Sequence, residues 1–234
     1  MIVLDRLGKS FNGKWAVRGF DLTVHKGELF GLLGPNAAGK TTTIKMMTGL
    51  LKPTEGKILI CGYDIVKEPL QAKTVFGYVP DKAFLYERLK GREFLVFIAS
   101  LHGIEKTKAF KRIDELFVQF GIKDIGNELI ESYSQGMRQR LLFLSALVHD
   151  PAVLFIDEPF VGLDPFGVTM LKEMMLKMSS EGVTIFLATH SLHIAEELCE
   201  RVGLIRKGSL LSVKHREEIL MEGGLQKVFL DIAS

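Results

Sequence analysis

The chain of 234 residues is long enough for one large domain or two small ones with a buried core. Its hydrophobic content of 47% is typical of a globular protein, and a formal net charge of +2 gives no reason to expect a nucleic acid partner. No uninterrupted apolar stretch approaches the ~20 residues needed to cross a bilayer. The two cysteines, Cys61 and Cys199, are far apart, which predicts reduced core residues in a cytosolic protein.

The predicted strands and helices alternate along most of the chain. Strands are predicted at Ile2–Leu7, Ala16–Val24, Glu28–Leu33, Lys57–Ile60, Phe76–Val79, Val153–Ile156, Thr184–Ala188 and Val202–Arg206. Helices are predicted at Lys40–Leu50, Arg92–His102, Thr107–Phe120, Met137–Val148, Phe166–Ser180 and Leu192–Glu200. Because the strands near residues 155 and 186 are continuously apolar, we expect parallel strands covered on both faces in an α/β fold with crossover connections.

Two segments depart from this alternation. Residues from about 84 to 135 show only helical patterns, which predicts a helical subdomain inserted into the α/β core. Residues 213–234 are predicted to form a short tail, with a helix at Lys214–Met221 and a strand at Lys227–Ile232. We therefore expect one main domain over residues 1–212, followed by the tail.

A glycine-bounded phosphate loop follows the apolar run Leu29–Leu33. Its residues are Gly34, Pro35, Asn36, Ala37, Ala38, Gly39, Lys40, Thr41 and Thr42, which contain the pattern G-x-x-x-x-G-K-[ST]. In such a loop the backbone N–H groups surround the β- and γ-phosphates, and the next helix directs the positive end of its dipole at them. Lys40 adds a positive charge, and the Thr41 hydroxyl is expected to be a ligand for Mg²⁺. This motif, between a strand and a helix, predicts that the protein binds a nucleoside triphosphate.

Polar residues suited to phosphate chemistry follow two later strands. Asp157 and Glu158 come directly after one buried strand, and His190 follows the next. Beside a phosphate loop, the first carboxylate is expected to hold Mg²⁺ and the second to orient and deprotonate the attacking water. The His190 imidazole is suited to hydrogen-bond the γ-phosphate, since open α/β sheets keep their sites at strand ends. The alternative for each motif taken alone is a purely structural role.

The segment Tyr133–Arg140 places Ser134, Gln135 and Gly136 at the start of a predicted helix. Such a turn is a second place where helix N–H groups attract an anion. Located just before the acidic strand, the segment resembles the signature motif of ABC (ATP-binding cassette) proteins, and the resemblance extends over almost the whole chain. It implies a P-loop NTPase core with a mixed sheet, an ABC-type β-subdomain and the inserted helical subdomain.

The resemblance also implies roles for residues outside the phosphate loop. Asp164 lies in the segment Gly162–Pro165, which is similar to the D-loop of the family, and His190 matches its switch histidine. Phe11 corresponds to the aromatic residue that stacks on adenine, with Trp15 as the alternative. Two ATP molecules would lie at the interface of a head-to-tail homodimer or heterodimer, each held by one subunit's phosphate loop and the other subunit's signature turn.

Three positions differ from the family pattern. Ala37 stands where glycine is usual, Asp81 replaces the glutamine of the Q-loop, and Gln135 replaces a glycine of the signature. If position 37 has a positive φ, alanine costs about 1 kcal/mol there. Asp81 is shorter than glutamine and charged, and we expect it to be a further ligand of Mg²⁺. The other motifs are intact, which predicts an active ATPase.

The resemblance implies an Mg²⁺-dependent ATPase subunit that powers transport through a separate membrane-spanning permease, with a signature segment most like that of exporters. Such a subunit would lie on the cytoplasmic face of the cell membrane, and Asp81–Arg88 would lie near the groove that contacts the permease. The alternative is a soluble single-cassette ABC ATPase that drives macromolecular assembly, such as those serving iron–sulphur scaffolds. An unrelated P-loop kinase would leave the signature segment unexplained. In this architecture the cargo contacts the permease, so the sequence of this chain does not identify it.

Overall fold

A mixed sheet forms the centre of the protein. The computed structural model describes residues 1–82, 84–160 and 163–233, with side chains as far as Asp231. The strands of this sheet are β3 (Leu29–Leu33), β6 (Phe76–Val79), β7 (Val153–Asp157), β8 (Thr184–Thr189), β9 (Arg201–Arg206) and β10 (Ser209–His215). Within the described residues their order is β10–β9–β3–β8–β7–β6, and all neighbours are parallel except β9 and β10. The α/β class with a mixed sheet is therefore confirmed.

A second, antiparallel sheet packs on one face of the first. Its strands in the described chain are β1 (Ile2–Phe11), β2 (Lys14–Val24), β4 (Glu55–Ile60) and β5 (Tyr63–Asp64), in the order β2–β1–β4–β5. Buried side chains such as Leu7, Phe20 and Ile58 from this sheet share a core with Phe30 and Phe155 from the central sheet. This burial explains why β3, β7 and β8 have no exposed position, as their continuous apolar runs predicted.

Helices cover the remaining surfaces of the central sheet. They are α1 (Lys40–Met47), α2 (Pro69–Thr74), α3 (Gly91–Leu101), α4 (Lys106–Gln119), α5 (Gln135–Leu147), α6 (Pro165–Ser180), α7 (Leu192–Leu198), α8 (Arg216–Met221) and α9 (Leu225–Ala233). Between residues 84 and 134 the named elements are α3, α4 and a short 3₁₀ turn, all helical. The bounds of the inserted subdomain and the division at residue 212 remain predictions. In the part of the chain that the structure describes, no helix is both long and apolar enough to cross a membrane.

The end of the chain differs from the prediction. Residues 227–232 lie in α9, so the predicted strand is wrong. Leu225 and Val228 are both buried, and this spacing of three residues puts them on one helical face that packs near α7. The predicted helix at 214–221 begins only at Arg216, because the two residues before it continue β10.

Smaller elements and one cysteine also differ. Strands β5 and β10 and helix α2 were not predicted, since each is short or half-exposed and lacks a clear period. Cys199 is buried, as predicted, but Cys61 is exposed in the turn after β4, so its assignment to the core is wrong. Both cysteines are free thiols.

Candidate ATP-binding and hydrolysis site

The phosphate loop joins β3 to α1 and bounds a cavity of about 330 Å³. The described residues that line it are Ala16, Asn36, Ala37, Ala38, Gly39, Lys40, Thr41, Thr42, Asp81 and Glu158. Gly39 precedes α1 with a φ of 115°, and a Cβ atom there would lie 2.9 Å from the Ala16 carbonyl oxygen. Only glycine accommodates both the conformation and the approach of β2. Of the predicted loop residues, Asn36 to Thr42 therefore line one cavity, whereas Gly34 and Pro35 are not in its described lining.

Ala37 adopts a φ of 63°, so this residue has the positive φ that normally favours glycine. Alanine in this left-handed conformation costs about 1 kcal/mol relative to glycine. Backbone hydrogen bonds hold the loop in place at the next residue. Ala38 N donates to the Pro35 carbonyl (3.2 Å), and Gly208 N donates to the Ala38 carbonyl (2.8 Å). The strain at position 37 is thus held by contacts from within the loop and from the turn after β9.

Lys40 is buried at the floor of this loop. Its side chain is 6% exposed, and its Nζ donates to the carbonyl oxygens of Gly34 (2.8 Å) and Pro35 (3.3 Å). The same ammonium lies 3.4 Å from Oε1 of Glu158. Two carbonyls and one carboxylate therefore orient the ammonium toward the cavity, where a triphosphate would supply further oxygens.

Parallel pairing of β7 with β8 brings Glu158 and His190 together. Glu158 N donates to the Ala188 carbonyl (2.9 Å), and Glu158 itself has a φ of 49°, which is rare for a residue with a side chain. Its Oε2 lies 2.9 Å from Nδ1 of His190 and accepts hydrogen bonds from the Thr189 hydroxyl (3.2 Å) and the His190 backbone N–H (3.3 Å). A carboxylate oriented in this way at a cavity can act as a general base.

Asp157, the last residue of β7, is a buried carboxylate next to Glu158. It is fully buried, and among the described residues neither oxygen has a hydrogen-bond partner. Burial raises the pKa of Asp157, as do the charges of Glu158 and Asp81, while the Thr41 side chain and Lys40 oppose the shift. Thr41 is thus close enough to act on this pKa, although no hydrogen bond of normal geometry forms. An unsatisfied carboxylate beside a hydroxyl fits a hard cation with oxygen ligands.

Asp81 follows β6 and lines the same cavity. Its charge helps to raise the pKa of Asp157 and contributes, after burial and Asp157, to the raised pKa of Tyr78. No group of three or more His, Cys, Asp or Glu side chains suited to a metal ion occurs in the described residues. Of the three predicted metal ligands, Thr41 and Asp81 line the cavity, and both act on the pKa of Asp157.

The signature turn, Ser134–Gly136, lies apart from this cavity and contributes no residue to its described lining. Ser134 caps α5, and its hydroxyl accepts a hydrogen bond from Met137 N (3.3 Å). Asp164 caps α6 in the same manner, accepting from Gly167 N (2.6 Å). Gly162 of the predicted D-loop lies outside the described residues. The structure therefore places the predicted phosphate-loop and signature residues at two separate surfaces.

The two candidate adenine-stacking residues flank the turn between β1 and β2. Phe11 is 48% exposed and Trp15 is 38% exposed. Neither ring is among the described lining of the cavity, but Ala16, next to Trp15, is. The Arg18 guanidinium lies 5.3 Å from the Trp15 ring and the Lys9 ammonium lies 5.2 Å from the Phe11 ring. Both rings are available, and the choice of Phe11 remains a prediction.

Sequence patterns did not assign Ala16 or Thr189 to this site. Thr189 contacts the carboxylate of Glu158 directly. Its position at a strand end, just before His190, is a local signal that could have indicated its role. Ala16 has no such signal, because it reaches the phosphate loop from the other sheet.

Comparison with known proteins identifies the family. The family model described as ABC transporter matches residues 17–161. The chain is 38% identical over 228 residues to the uncharacterized ABC transporter ATP-binding protein YhaQ of Bacillus subtilis, covering 97% of this chain and 76% of that protein. It is 35% identical over 227 residues to the daunorubicin resistance ATP-binding protein DrrA3 of Streptomyces coeruleorubidus, covering 97% and 72%. A solved ATP-binding subunit of an ABC transporter matches with a TM-score of 0.93 and 28% identity, covering both chains in full.

The chain therefore belongs to the ABC transporter ATP-binding protein family, as the signature segment indicated. It is an ATP-binding cassette with the P-loop NTPase fold, and it is an ATPase. The reading as an unrelated P-loop kinase is excluded by this membership.

Proposed function

We propose that this chain hydrolyses ATP to power export through a separate membrane-spanning permease, on the cytoplasmic face of the cell membrane. The observation that carries the proposal is that Glu158 lines the phosphate-loop cavity of an ABC family chain, with His190 in contact with it and Asp157 next to it. The relative from Streptomyces coeruleorubidus is named for daunorubicin resistance, which favours export. YhaQ is named as an ABC transporter protein, which favours transport over macromolecular assembly.

Different residues of the cavity bind the phosphates and activate the attacking water. The loop N–H groups and Lys40 bind the phosphates of ATP, so the phosphate oxygens take the place of Glu158 at the Lys40 ammonium. The Glu158 carboxylate, still oriented by Thr189 and His190, is then free to accept a proton from the attacking water. The His190 side chain is 52% exposed, so its ring can also reach a phosphate oxygen.

The acidic residues of the site fit Mg²⁺. Asp157 has two buried oxygens with no partner in the described chain, and Thr41 and Asp81 lie close to it. We assign these three residues as the groups that would hold the ion together with phosphate oxygens of ATP. When bound, the ion neutralises negative charge on the phosphates.

Two copies of a cassette are needed to complete the site. The signature turn forms the N-terminus of α5, where the positive end of the helix dipole attracts anions. That turn lies outside the cavity that its own chain forms, which supports binding to the γ-phosphate held by a second subunit. We propose a head-to-tail pair, either a homodimer or a heterodimer, with Asp164 and Gln135 near the shared ATP.

An apolar groove beside the segment Asp81–Arg88 is the proposed docking site for the permease. A cavity of about 310 Å³ lies between α3, α5 and β6, with Leu50 and Ile98 among its lining residues. Phe84 is 88% exposed and Tyr86 is 60% exposed on the neighbouring loop. Exposed apolar groups of this size next to a groove are typical of a surface that a partner covers.

A stacked histidine pair lines the groove without adding charge. The rings of His102 and His149 lie 3.7 Å apart and within 8° of parallel. Burial lowers the pKa of His102, and burial together with His102 lowers the pKa of His149 to about 4. Both rings are thus neutral near pH 7, so this wall of the groove suits an apolar helix of the permease.

Isolation from native membranes tests this function. The chain, purified through an affinity tag in mild detergent, should recover a membrane-spanning protein. Phe84→Asp should reduce that recovery and leave the basal ATP hydrolysis of the purified chain unchanged. The matched control is Leu176→Asp, which adds the same charge at an exposed apolar residue of α6 and should leave recovery intact. Recovery of the chain without any membrane-spanning protein would contradict the proposal.

A further inference from the structure

The segment Glu87–Lys90, in the loop before α3, runs beside the segment that leads into the signature turn. Ile130 N donates to the Leu89 carbonyl (2.9 Å), and Glu131 N donates to the Glu87 carbonyl (3.1 Å). Lys90 and Leu129 form an antiparallel β-bridge between the same two segments. Backbone contacts of this kind make the two segments move together.

Arg138 joins both segments to the signature helix. Its Nη1 lies 2.5 Å from Oε1 of Glu87, its Nε donates to the Tyr133 carbonyl (3.2 Å), and its Nη2 donates to the Glu131 carbonyl (3.2 Å). The side chain is 29% exposed, so these charged hydrogen bonds are only partly screened by water. A guanidinium can make all three contacts from one plane, whereas a lysine cannot.

Gly91, at the start of α3, also packs closely against Tyr133, just before the signature turn. Tyr133 directly precedes the signature turn, and its hydroxyl donates to the Ile125 carbonyl (2.6 Å). A Cβ atom at position 91 would lie 2.2 Å from that hydroxyl oxygen, so no side chain fits between α3 and the tyrosine. The start of α3 and the start of the signature turn are therefore in direct contact.

We propose that Arg138 is a positioning residue that fixes the signature turn to the loop after Asp81, with Glu87 as its anchor on that loop. Movement of the loop, where the permease is proposed to dock, is thereby passed to the turn that binds the ATP of the second subunit. This inference rests on the proposed two-subunit site. Loss of the Arg138 contacts should weaken ATP-driven dimerisation while the phosphate loop of each monomer still binds ATP.

Dimerisation of the purified chain tests the role of Arg138. In a Glu158→Gln background with Mg²⁺-ATP, sedimentation velocity should show that Arg138→Met requires an about tenfold higher protein concentration for half-maximal dimer. A fluorescent ATP analogue, titrated at concentrations where the chain is monomeric, should bind within about twofold of the parent. Glu87→Gln should weaken dimerisation less, because two of the three Arg138 contacts remain. The double variant Glu87→Gln with Arg138→Met should dimerise no more weakly than Arg138→Met alone, as expected for two residues that act through one contact.

A matched control separates this role from general damage. Arg112 of α4 pairs at 3.2 Å with Asp150, in the loop after α5, and Arg112→Met should leave dimerisation unchanged. Three results would overturn the proposal: normal dimerisation of Arg138→Met, an equal loss of monomer ATP binding, or additive effects of the Glu87 and Arg138 variants. Failure to recover a permease would leave these measurements unaffected, so the transport proposal and this one fail separately.

Discussion

Glu158 combines an unusual backbone conformation with several polar contacts. Its φ of 49° turns the chain at the end of β7, and the Ala188 carbonyl accepts its backbone N–H. A conformation of this kind is sparsely populated and persists only where the surroundings hold it. Here the result is a carboxylate 2.9 Å from the His190 ring at the edge of the ATP cavity. The strain is consistent with a catalytic use of this residue.

The first prediction concerns hydrolysis itself. Glu158→Gln should bind ATP but lower turnover by about 10²-fold or more, because an amide cannot accept the proton of the attacking water. Turnover and ATP binding are measured on the purified chain with Mg²⁺. The control Glu173→Gln changes an exposed residue of α6 and should hydrolyse ATP like the parent. Turnover within a few-fold of the parent in Glu158→Gln would remove Glu158 from the role of base.

A second prediction addresses the replacement of the usual Q-loop glutamine. Asp81 lines the cavity, and its charge acts on Asp157, so a divalent cation between them would relieve their repulsion. Asp81→Asn keeps the size and removes the charge, and it should raise the Mg²⁺ concentration needed for half-maximal hydrolysis. Asp124→Asn, at an exposed position away from the cavity lining, is the control. An unshifted midpoint in Asp81→Asn ends the assignment of this residue to the metal.

Asp157 carries a third prediction, on stability and pH. Its folded-state pKa lies above the unfolded value because of burial, so the ionised form destabilises the ATP-free fold. This penalty is full above the folded-state pKa and disappears as the pH falls through that value to below the unfolded pKa. Asp157→Asn should therefore raise the free energy of unfolding in urea at pH 7, with a smaller gain in mild acid. A gain that is equal at both pH values, or a loss at pH 7, would contradict this account.

At the scale of elements, the hairpin of β1 and β2 presents two exposed aromatic rings near Ala16, which lines the phosphate-loop cavity. Asn12 and Gly13 both have positive φ (49° and 78°), which suits a tight two-residue turn. Phe11 and Trp15 then lie on either side of the turn, close to Ala16 at the cavity. The pairing of β1 with β2 therefore does not decide which of the two rings would stack on adenine.

The fourth prediction distinguishes these two rings. Phe11→Ala should weaken ATP binding by about 1–3 kcal/mol, the range for base–aromatic stacking, with little change of turnover at saturating ATP. Trp15→Ala is the matched variant and should bind ATP nearly as the parent does. Titration with a fluorescent nucleotide measures both. If the loss appears in Trp15→Ala instead, Trp15 is the stacking residue.

Fully buried strands were predicted from the sequence more accurately than the half-exposed elements. The strands predicted at 153–156 and 184–188 match β7 and β8 to within one residue, because strands covered on both faces are continuously apolar. The predicted strand at 227–232 has a shorter apolar run, bounded by Lys227 and Asp231, and lies in α9. Burial of Leu225 and Val228 on one face favours a helix there, whereas a short apolar run by itself fits a helix and a strand equally well.

At the scale of the whole molecule, Arg201 connects the two sheets. From β9, its Nη1 donates to both carboxylate oxygens of Glu28 (2.9 and 3.2 Å) and to the Thr23 carbonyl on β2 (3.3 Å). Glu28 is 5% exposed, so Arg201 is the ion-pair partner of a buried carboxylate. The phosphate loop starts from the central sheet and packs against β2, so its shape depends on how the two sheets are held together.

The fifth prediction tests this connection. Arg201→Met should lower the free energy of unfolding by about 3 kcal/mol, because it removes the only cation paired with the buried Glu28 in the described structure and leaves the carboxylate with the His25 backbone N–H. Lys177→Met, which breaks an exposed pair with Glu181, should change it by less than about 1 kcal/mol. Urea denaturation of both variants gives the comparison. Equal losses in the two variants would show that the buried pair has no special role.

The sequence by itself determined the motifs whose residues are adjacent in the chain: the phosphate loop, the acidic strand end, the signature turn and the ABC family. These are local patterns, in which a few neighbouring residues carry both conformation and chemistry. Tertiary structure alone decided that Lys40 meets Glu158, that Asp81 acts on Asp157 and that Arg138 is anchored to Glu87. The physical reason is that the residues of each of these contacts arrive on separate elements. Their meeting depends on the strand order β3–β8–β7–β6 and on helix packing, which period and composition do not specify.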